Sequence, residues 1–296
     1  KILLPELNKQ PVKYTFKEDN KYSINHKNEL WDLFGAIEFV RQKTKNDRGA
    51  VYITHDYASA YALALLGRKY ILVYHLQGPR VEDKINFGEK FSKTTTEIIQ
   101  KCEKIAFQKA FYVCFPSDGA YDYFCNSKYT KLQPSDFIKG PTLYNTLYVD
   151  PTEEKIETIE KDTQTLTFLS VGQLTVAKGL DRHAELFKHI LEISNKKIRY
   201  IYVGRGPLKN KISKDLKDLQ NTFPGRFVSI YIESCTYAQM QYLQTICDIY
   251  LMLQRISIFD LATLELMRKK KCIVLSYVGG NKDFSKLNNI IFYNNS

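Results

Sequence analysis

Short β-branched and aromatic runs alternate along this chain with segments of helical apolar spacing. That alternation constrains the fold more than any other feature, because it is the pattern of parallel α/β layers. In the first half the runs predict strands at residues 50–55, 70–75 and 111–116. Helices fill the gaps at 57–66, about 92–109 and 119–126, the last with Ser117 or Asp118 available as its cap. The rhythm is clearer in the second half, with strands predicted at 166–171, 199–203, 227–233, 248–253 and 271–277. Five strands with intervening helices make a Rossmann-like domain. Residues 149–165 between the halves are polar and acidic without apolar periodicity, as a linker is, so a boundary near Asp150 predicts domains at 1–149 and 150–296. Ahead of the first strand, residues 28–42 have helical spacing that places Trp31, Phe34, Ile37 and Val40 on one side, and that side is expected to face a core.

Composition narrows what such a fold can do. With 296 residues, 44% hydrophobic and 25% charged, the chain has the length and make-up for two globular domains. No stretch reaches the ~18 to 20 continuous apolar residues of a membrane span, and the start does not resemble a signal peptide, so a cytoplasmic protein is expected. The six cysteines form no C-x-x-C pair and mostly sit in apolar runs, which suggests neither a disulfide framework nor a zinc site. A net charge of +11 suits nucleic acid, an anionic membrane surface or phosphorylated ligands. The basic excess is spread evenly over both halves, whereas a nucleic-acid footprint clusters on one face, so no nucleic acid is expected.

Three segments carry the chemistry. In F-L-S-V-G-Q-L-T-V-A-K-G-L-D, residues 168–181, a buried strand ends at Gly172 and a helix opens near Gly179. Such a strand-turn-helix directs backbone N–H groups and a nearby lysine, here Lys178, toward an anion at the carboxyl edge of a sheet. A turn glycine and a solvated lysine are the plainer reading of the same residues. In Y-I-Y-V-G-R-G-P-L, residues 200–208, Gly204 and Gly206 permit a tight turn and Pro207 opens the next helix. In the third segment, residues 247–281, a buried strand leads through a loop to a helix with one acid, Glu265, among Leu264, Leu266 and Met267, and a further strand closes on Gly279-Gly280. An acid in an apolar helix costs desolvation unless a ligand or partner uses it, and either sugar hydroxyls or a neighbouring helix terminus would serve.

The order and spacing of these segments resemble the retaining GT-B glycosyltransferases of the "glycosyl transferase group 1" clan. That clan reads V-G-R-L with K-G, then V-G-x-G-P, then E-G-F-G-x-x-x-x-E-A-M, then G-G. This chain has V-G-Q-L with A-K-G, Y-V-G-R-G-P, S-I-F-D-L-A-T-L-E-L-M and V-G-G-N in that order. The likeness is good over 166–281. It is weaker in the first half, at H-D-Y-A-S-A (55–60), V-Y-H-L-Q-G (73–78) and F-P-S-D-G-A (115–120). The resemblance implies an α/β fold of the GT-B type, two Rossmann-like doubly wound parallel-sheet domains facing across a cleft. It also makes the fold incomplete at both ends, since the family's opening strand and closing helices have no counterpart.

By position, the resemblance assigns Lys178 to the donor diphosphate and Glu265 to the ribose hydroxyls. It assigns the backbone N–H groups around Ile258, Phe259 and Leu261 to the donor sugar, and His75 to a contact with the transferred sugar. Gly172, Gly204 and Gly206 shape the cleft wall. Two expected charges are absent: the arginine of V-G-R-L is Gln173, and the first glutamate of the family's E-x7-E pair is Ser257. Arg255, more than Arg205, is placed to supply the missing cation, and Asp260 the missing carboxylate.

The implied activity is retaining transfer of a hexosyl group from a UDP- or GDP-sugar to a saccharide, lipid-linked or surface-glycan hydroxyl, without a cofactor or metal, as in polysaccharide biosynthesis. The implied partners are that nucleotide-sugar donor, a glycan or lipid-linked acceptor, and peripherally an anionic membrane at its inner face. Gln173 and Ser257 also motivate an alternative, a catalytically inactive GT-B pseudoenzyme acting as a binding or stabilising subunit. A Rossmann dehydrogenase or methyltransferase is disfavoured, because no G-x-G-x-x-G follows the first strand with an acid ~20 residues later.

Overall fold

The computed structural model describes residues 29–47, 49–76, 78–86, 88–147, 152–285 and 287–293. It divides the chain into two units, Lys1–Tyr144 and Asn145–Ser296, each with its own parallel sheet. The predicted joint at Asp150 lies outside the described residues.

The first unit runs α1 (Glu29–Thr44), β1 (Val51–Thr54), α2 (Tyr57–Leu65), β2 (Lys69–Val73), α3 (Arg80–Asn86), α4 (Lys93–Gln108), β3 (Val113–Cys114) and α5 (Asp118–Asn126). Its sheet has the order β1-β2-β3, with Tyr52 beside Tyr70 and Leu72 beside Val113. Side-chain oxygens start its helices: Asp56 accepts from the Ser59 N–H at 2.8 Å, Ser92 from Thr95 at 3.1 Å and Ser117 from Ala120 at 2.9 Å. Ser117 and not Asp118 is thus the cap of α5. An aromatic cluster holds the core, with Phe107 stacked on Phe124 at 4.8 Å and edge-on to Tyr74 at 5.0 Å.

Two predictions are corrected in this unit. Phe34 is 62% exposed, while Leu33, Ala36 and Val40 are buried. Residues taken in steps of three drift about 60° per step around a helix, so Phe34 leaves the face that Val40 occupies; the Trp31 side chain lies outside the described residues. The strand predicted at 111–116 narrows to Val113–Cys114, while Phe111 and Tyr112, half exposed, still bond to β2 through Tyr70 and Leu72.

The second unit runs β4 (Thr165–Val171), α6 (His183–Ile193), β5 (Lys197–Val203), α7 (Lys209–Thr222), β6 (Phe227–Ile232), α8 (Tyr237–Ile246), β7 (Ile249–Met252), α9 (Leu261–Arg268), β8 (Cys272–Ser276) and β9 (Ile290–Tyr293). A 3-10 turn, Leu180–Arg182, precedes α6 where the helix was expected to open. The sheet is parallel throughout in the order β6-β5-β4-β7-β8-β9. Counted within the unit, this is the 3-2-1-4-5-6 order of a doubly wound fold. The direction of winding therefore reverses between β4 and β7, the place where such sheets open a crevice for ligands.

All six cysteines are free thiols. Among the described residues no helix is long and apolar enough to cross a membrane, and no three His, Cys, Asp or Glu side chains gather as a metal set would.

Candidate active site

At the reversal point the turn after β4 meets the loop after β7, and backbone hydrogen bonds join the turns along this edge. Gly172 N–H donates to Val203 at 3.0 Å, Leu174 to Arg205 at 2.8 Å, Gly204 to Ile232 at 3.0 Å, Arg255 to Ala177 at 2.8 Å and Gly280 to Ser257 at 2.8 Å. Glycine is required where the strands of this clasp touch. Gly179 has φ +72°, and a Cβ there would lie 1.8 Å from the Leu253 carbonyl oxygen; one at Gly204 would lie 1.9 Å from that of Gly172. Gly206 approaches Leu174 in the same way, at 2.5 Å.

His183, at the start of α6, fastens the clasp from below. It is wholly buried; its Nδ1 lies 2.7 Å from the Tyr200 hydroxyl and its Nε2 accepts from the Leu253 N–H at 3.4 Å. Burial lowers its pKa to about 3, so the ring is neutral and Nδ1 carries the proton. Ser170 adds a second tie, donating to the Leu251 carbonyl at 2.5 Å.

The charged groups sit on this frame. Lys178 Nζ is 3.6 Å from Asp260, and each side chain is only 16% exposed. Asp260 immediately precedes α9 and accepts from the Tyr250 hydroxyl at 3.1 Å and from Thr263 at 3.4 Å. Tyr250 is buried, and burial, reinforced by Asp260, holds its pKa well above the ordinary value, so it stays a donor. One turn into α9, the half-buried Glu265 accepts from Nε2 of the fully buried Gln244 on α8. The partner of this isolated acid within the fold is therefore an amide, not a helix terminus.

Other predicted residues are committed within the protein. Arg255 forms a two-pronged pair with Asp181 at 2.7 and 2.8 Å and reaches the Val176 carbonyl at 2.6 Å. Burial opposes ionisation of Asp181, yet the Arg255 guanidinium holds its carboxyl below the usual range. Arg255 can reach a phosphate only if this pair opens. Arg205 is 69% exposed beside Glu233 at 3.4 Å, and Gln173 is exposed. Ser257 is 2% exposed, and its hydroxyl donates to Asn281 Oδ1 at 2.7 Å. The Asn281 amide in turn donates to Gln254 and to the Ser276 carbonyl, both at 3.0 Å. Phe259 packs on Phe284 with centroids 4.9 Å apart, and its carbonyl accepts from Asn145 at 3.0 Å. Ile258 is half-buried and Leu261 is 48% exposed at the mouth of α9.

The first unit carries its own group at a carboxyl edge. His75 after β2 stacks on His55 after β1, with centroids 4.9 Å apart and planes within 4°. Burial, and then the neighbouring His55, lowers the His75 pKa to about 4.

Tyr250, Gln244, His183, Asp181 and the Gln254–Asn281 pair were not singled out from sequence. Asp181 and Asn281 stood within quoted motifs, as the last residues of A-K-G-L-D and V-G-G-N.

The second unit is thus a doubly wound fold whose reversal point brings together Lys178, Asp260 and the helix that carries Glu265. Residues 151–296, just under half of the chain, match the family described as glycosyl transferases group 1. No curated protein matches the chain by sequence. Among solved structures, it is similar to a UDP-forming α,α-trehalose-phosphate synthase from Burkholderia xenovorans, with 13% identity, TM-score 0.65 and coverage of 90% of this chain and 67% of that one. The same species' synthase in complex with glucose-6-phosphate gives 12% identity, TM-score 0.63 and coverage of 90% and 68%. A sucrose-phosphate synthase from Thermosynechococcus elongatus gives 12% identity, TM-score 0.58 and coverage of 88% and 64%. At these identities the likeness is one of fold, and the chain spans about two-thirds of their length.

Proposed function

We propose that this glycosyltransferase moves a hexosyl group, with retention of configuration, from a UDP- or GDP-sugar to a hydroxyl of a saccharide, lipid-linked or surface-glycan acceptor. The observation that carries the reading is the meeting of Lys178 and Asp260 at the reversal point, 3.6 Å apart, at the mouth of the helix bearing Glu265. Lys178 and the backbone N–H groups after Gly179 hold the diphosphate, Glu265 the ribose, and the backbone of Ile258, Phe259 and Leu261 the sugar. Gly172, Gly204 and Gly206 shape the cleft wall, with exposed Gln173 at its rim. A uridine donor is supported by the UDP-forming neighbour, and a polar sugar acceptor by the neighbour solved with glucose-6-phosphate.

In the transfer, the bond from the anomeric carbon to the diphosphate breaks as a bond from the acceptor oxygen forms on the same face. The acceptor proton passes to the departing diphosphate. The task left to the protein is to stabilise charge on that leaving group, which Lys178 and the helix amino ends perform without a metal. The net charge of +11 suits work beside an anionic membrane, at the cytoplasmic face.

A thermal-shift panel of UDP, GDP and their sugars tests the reading, since the donor raises stability by mass action. Glu265→Ala is expected to abolish the shift. A shift that survives in this variant overturns the ribose assignment, and binding without hydrolysis or transfer points to an inactive subunit instead.

A further inference from the structure

The loop between β7 and α9 contains one acid, and it faces the lysine assigned to the diphosphate. Residues 253–260 read L-Q-R-I-S-I-F-D, so Asp260 is the single carboxylate this loop can offer. Ser257, which stands where the family places a sugar-facing acid, has its hydroxyl committed to Asn281 in a buried network. Asp260 and an arriving diphosphate therefore compete for Lys178, 3.6 Å from the carboxylate. Two anions on one cation in a mostly buried site repel each other strongly. The carboxylate does not depend on Lys178 for its position, because Tyr250 from β7 and Thr263 from α9 hold it by hydroxyl donors. When Lys178 turns to the diphosphate, Asp260 stays in place and needs a new donor.

Resting on the donor reading above, we infer that Asp260 is the specificity-determining residue of this site: it yields Lys178 to the diphosphate and accepts hydrogen bonds from hydroxyls of the transferred sugar. A nucleotide sugar meets its repulsion but compensates with hydroxyl donors. A bare nucleoside diphosphate carries more negative charge and has no sugar to offer, so it meets the repulsion alone. Discrimination by a repulsive element is a general route to specificity. Here it favours the donor over the spent nucleotide and speeds release of the product.

The experiment is calorimetric binding of UDP, GDP, UDP-glucose, UDP-N-acetylglucosamine and GDP-mannose to the wild type, Asp260→Asn and Tyr250→Phe, with and without Mg²⁺. The wild type is expected to bind one nucleotide sugar more tightly than its bare diphosphate. In Asp260→Asn the diphosphate tightens about ten-fold and the nucleotide sugar weakens, which reverses the ratio. Tyr250→Phe loosens the carboxylate and moves the ratio the same way by less, which keeps the inference testable if the first variant misfolds. Equal weakening of both ligands in the variants makes Asp260 structural and overturns the inference alone. Diphosphate binding that requires Mg²⁺ in the wild type but not in Asp260→Asn makes it a metal ligand, which also overturns it. Absence of binding by any nucleotide to the wild type removes the donor reading and this inference with it.

Discussion

At the carboxyl edge of the second sheet, turns are joined backbone to backbone, and Lys178 and Arg255 each face a carboxylate. At the carboxyl edge of the first sheet the notable groups are two stacked imidazoles, with the pKa of each lowered by burial. The first unit also buries Glu103 on α4, which accepts from the Tyr74 hydroxyl and from the Arg80 N–H at 2.9 Å. One edge is thus defined by chain geometry and fixed charge, the other by groups whose protonation is set by burial. Steric changes should do most harm in the second unit, and loss of stability as pH rises should come from the first.

The strongest way to break this contrast is to add one methyl group in each unit. Gly179→Ala drives a Cβ into the Leu253 carbonyl, and is expected to cost about 3 kcal/mol or more in urea unfolding. Gly67→Ala has a similar φ of +62° but nothing within 4 Å, and should cost only about 1 kcal/mol, the backbone strain alone. Equal costs would remove the idea of a geometric clasp.

Next comes Glu103. Burial raises its pKa to about 7, against the pull of its hydrogen bonds, from an ordinary value of 4.5. Between those values the unfolded chain has lost the proton and the folded one keeps it, so the group's contribution to stability falls as pH rises from 4.5 to 7. Glu103→Gln preserves both accepted bonds and removes the titration. Relative to wild type it should gain about 3 kcal/mol between pH 4.5 and pH 8, read from paired unfolding curves.

His183 has the opposite sign. Its folded pKa of about 3 lies below the ordinary 6.5, so its stability is complete above 6.5 and is lost as pH falls toward 3. His183→Gln should flatten the acid-side slope by about 1.4 kcal/mol per pH unit inside that window. Two small tests then sharpen the picture of the second unit's carboxyl edge. Gln173→Arg adds the family's missing cation at an exposed position and should tighten nucleotide binding about ten-fold in calorimetry. Arg205→Ala removes an exposed pair and should change stability by less than about 0.5 kcal/mol.

The second unit was legible because its central strands are buried along most of their length and rich in apolar, aromatic and β-branched residues. The runs at 166–171 and 199–203 fall inside Thr165–Val171 and Lys197–Val203. β9, Ile290–Tyr293, was not anticipated, and α3 escaped because seven residues give barely two turns. Lys178, Asp260 and Glu265 could be named from local motifs alone. Their partners could not, since Tyr250 and Gln244 matter only once the sheet order is known. Ser170 meets Leu251 across 81 positions of chain, and no periodicity encodes such a pairing. The commitment of Ser257 to Asn281 was hidden for the same reason.

His183 has one further consequence. A neutral ring with Nδ1 directed at Tyr200 and Nε2 at the Leu253 amide is held in a single tautomer. Its two ring nitrogens should give widely separated ¹⁵N resonances, with the Nε2 shift tracking its distance to the loop that follows β7. Any ligand that moves that loop would be visible there, without a label attached to the ligand and without waiting for turnover.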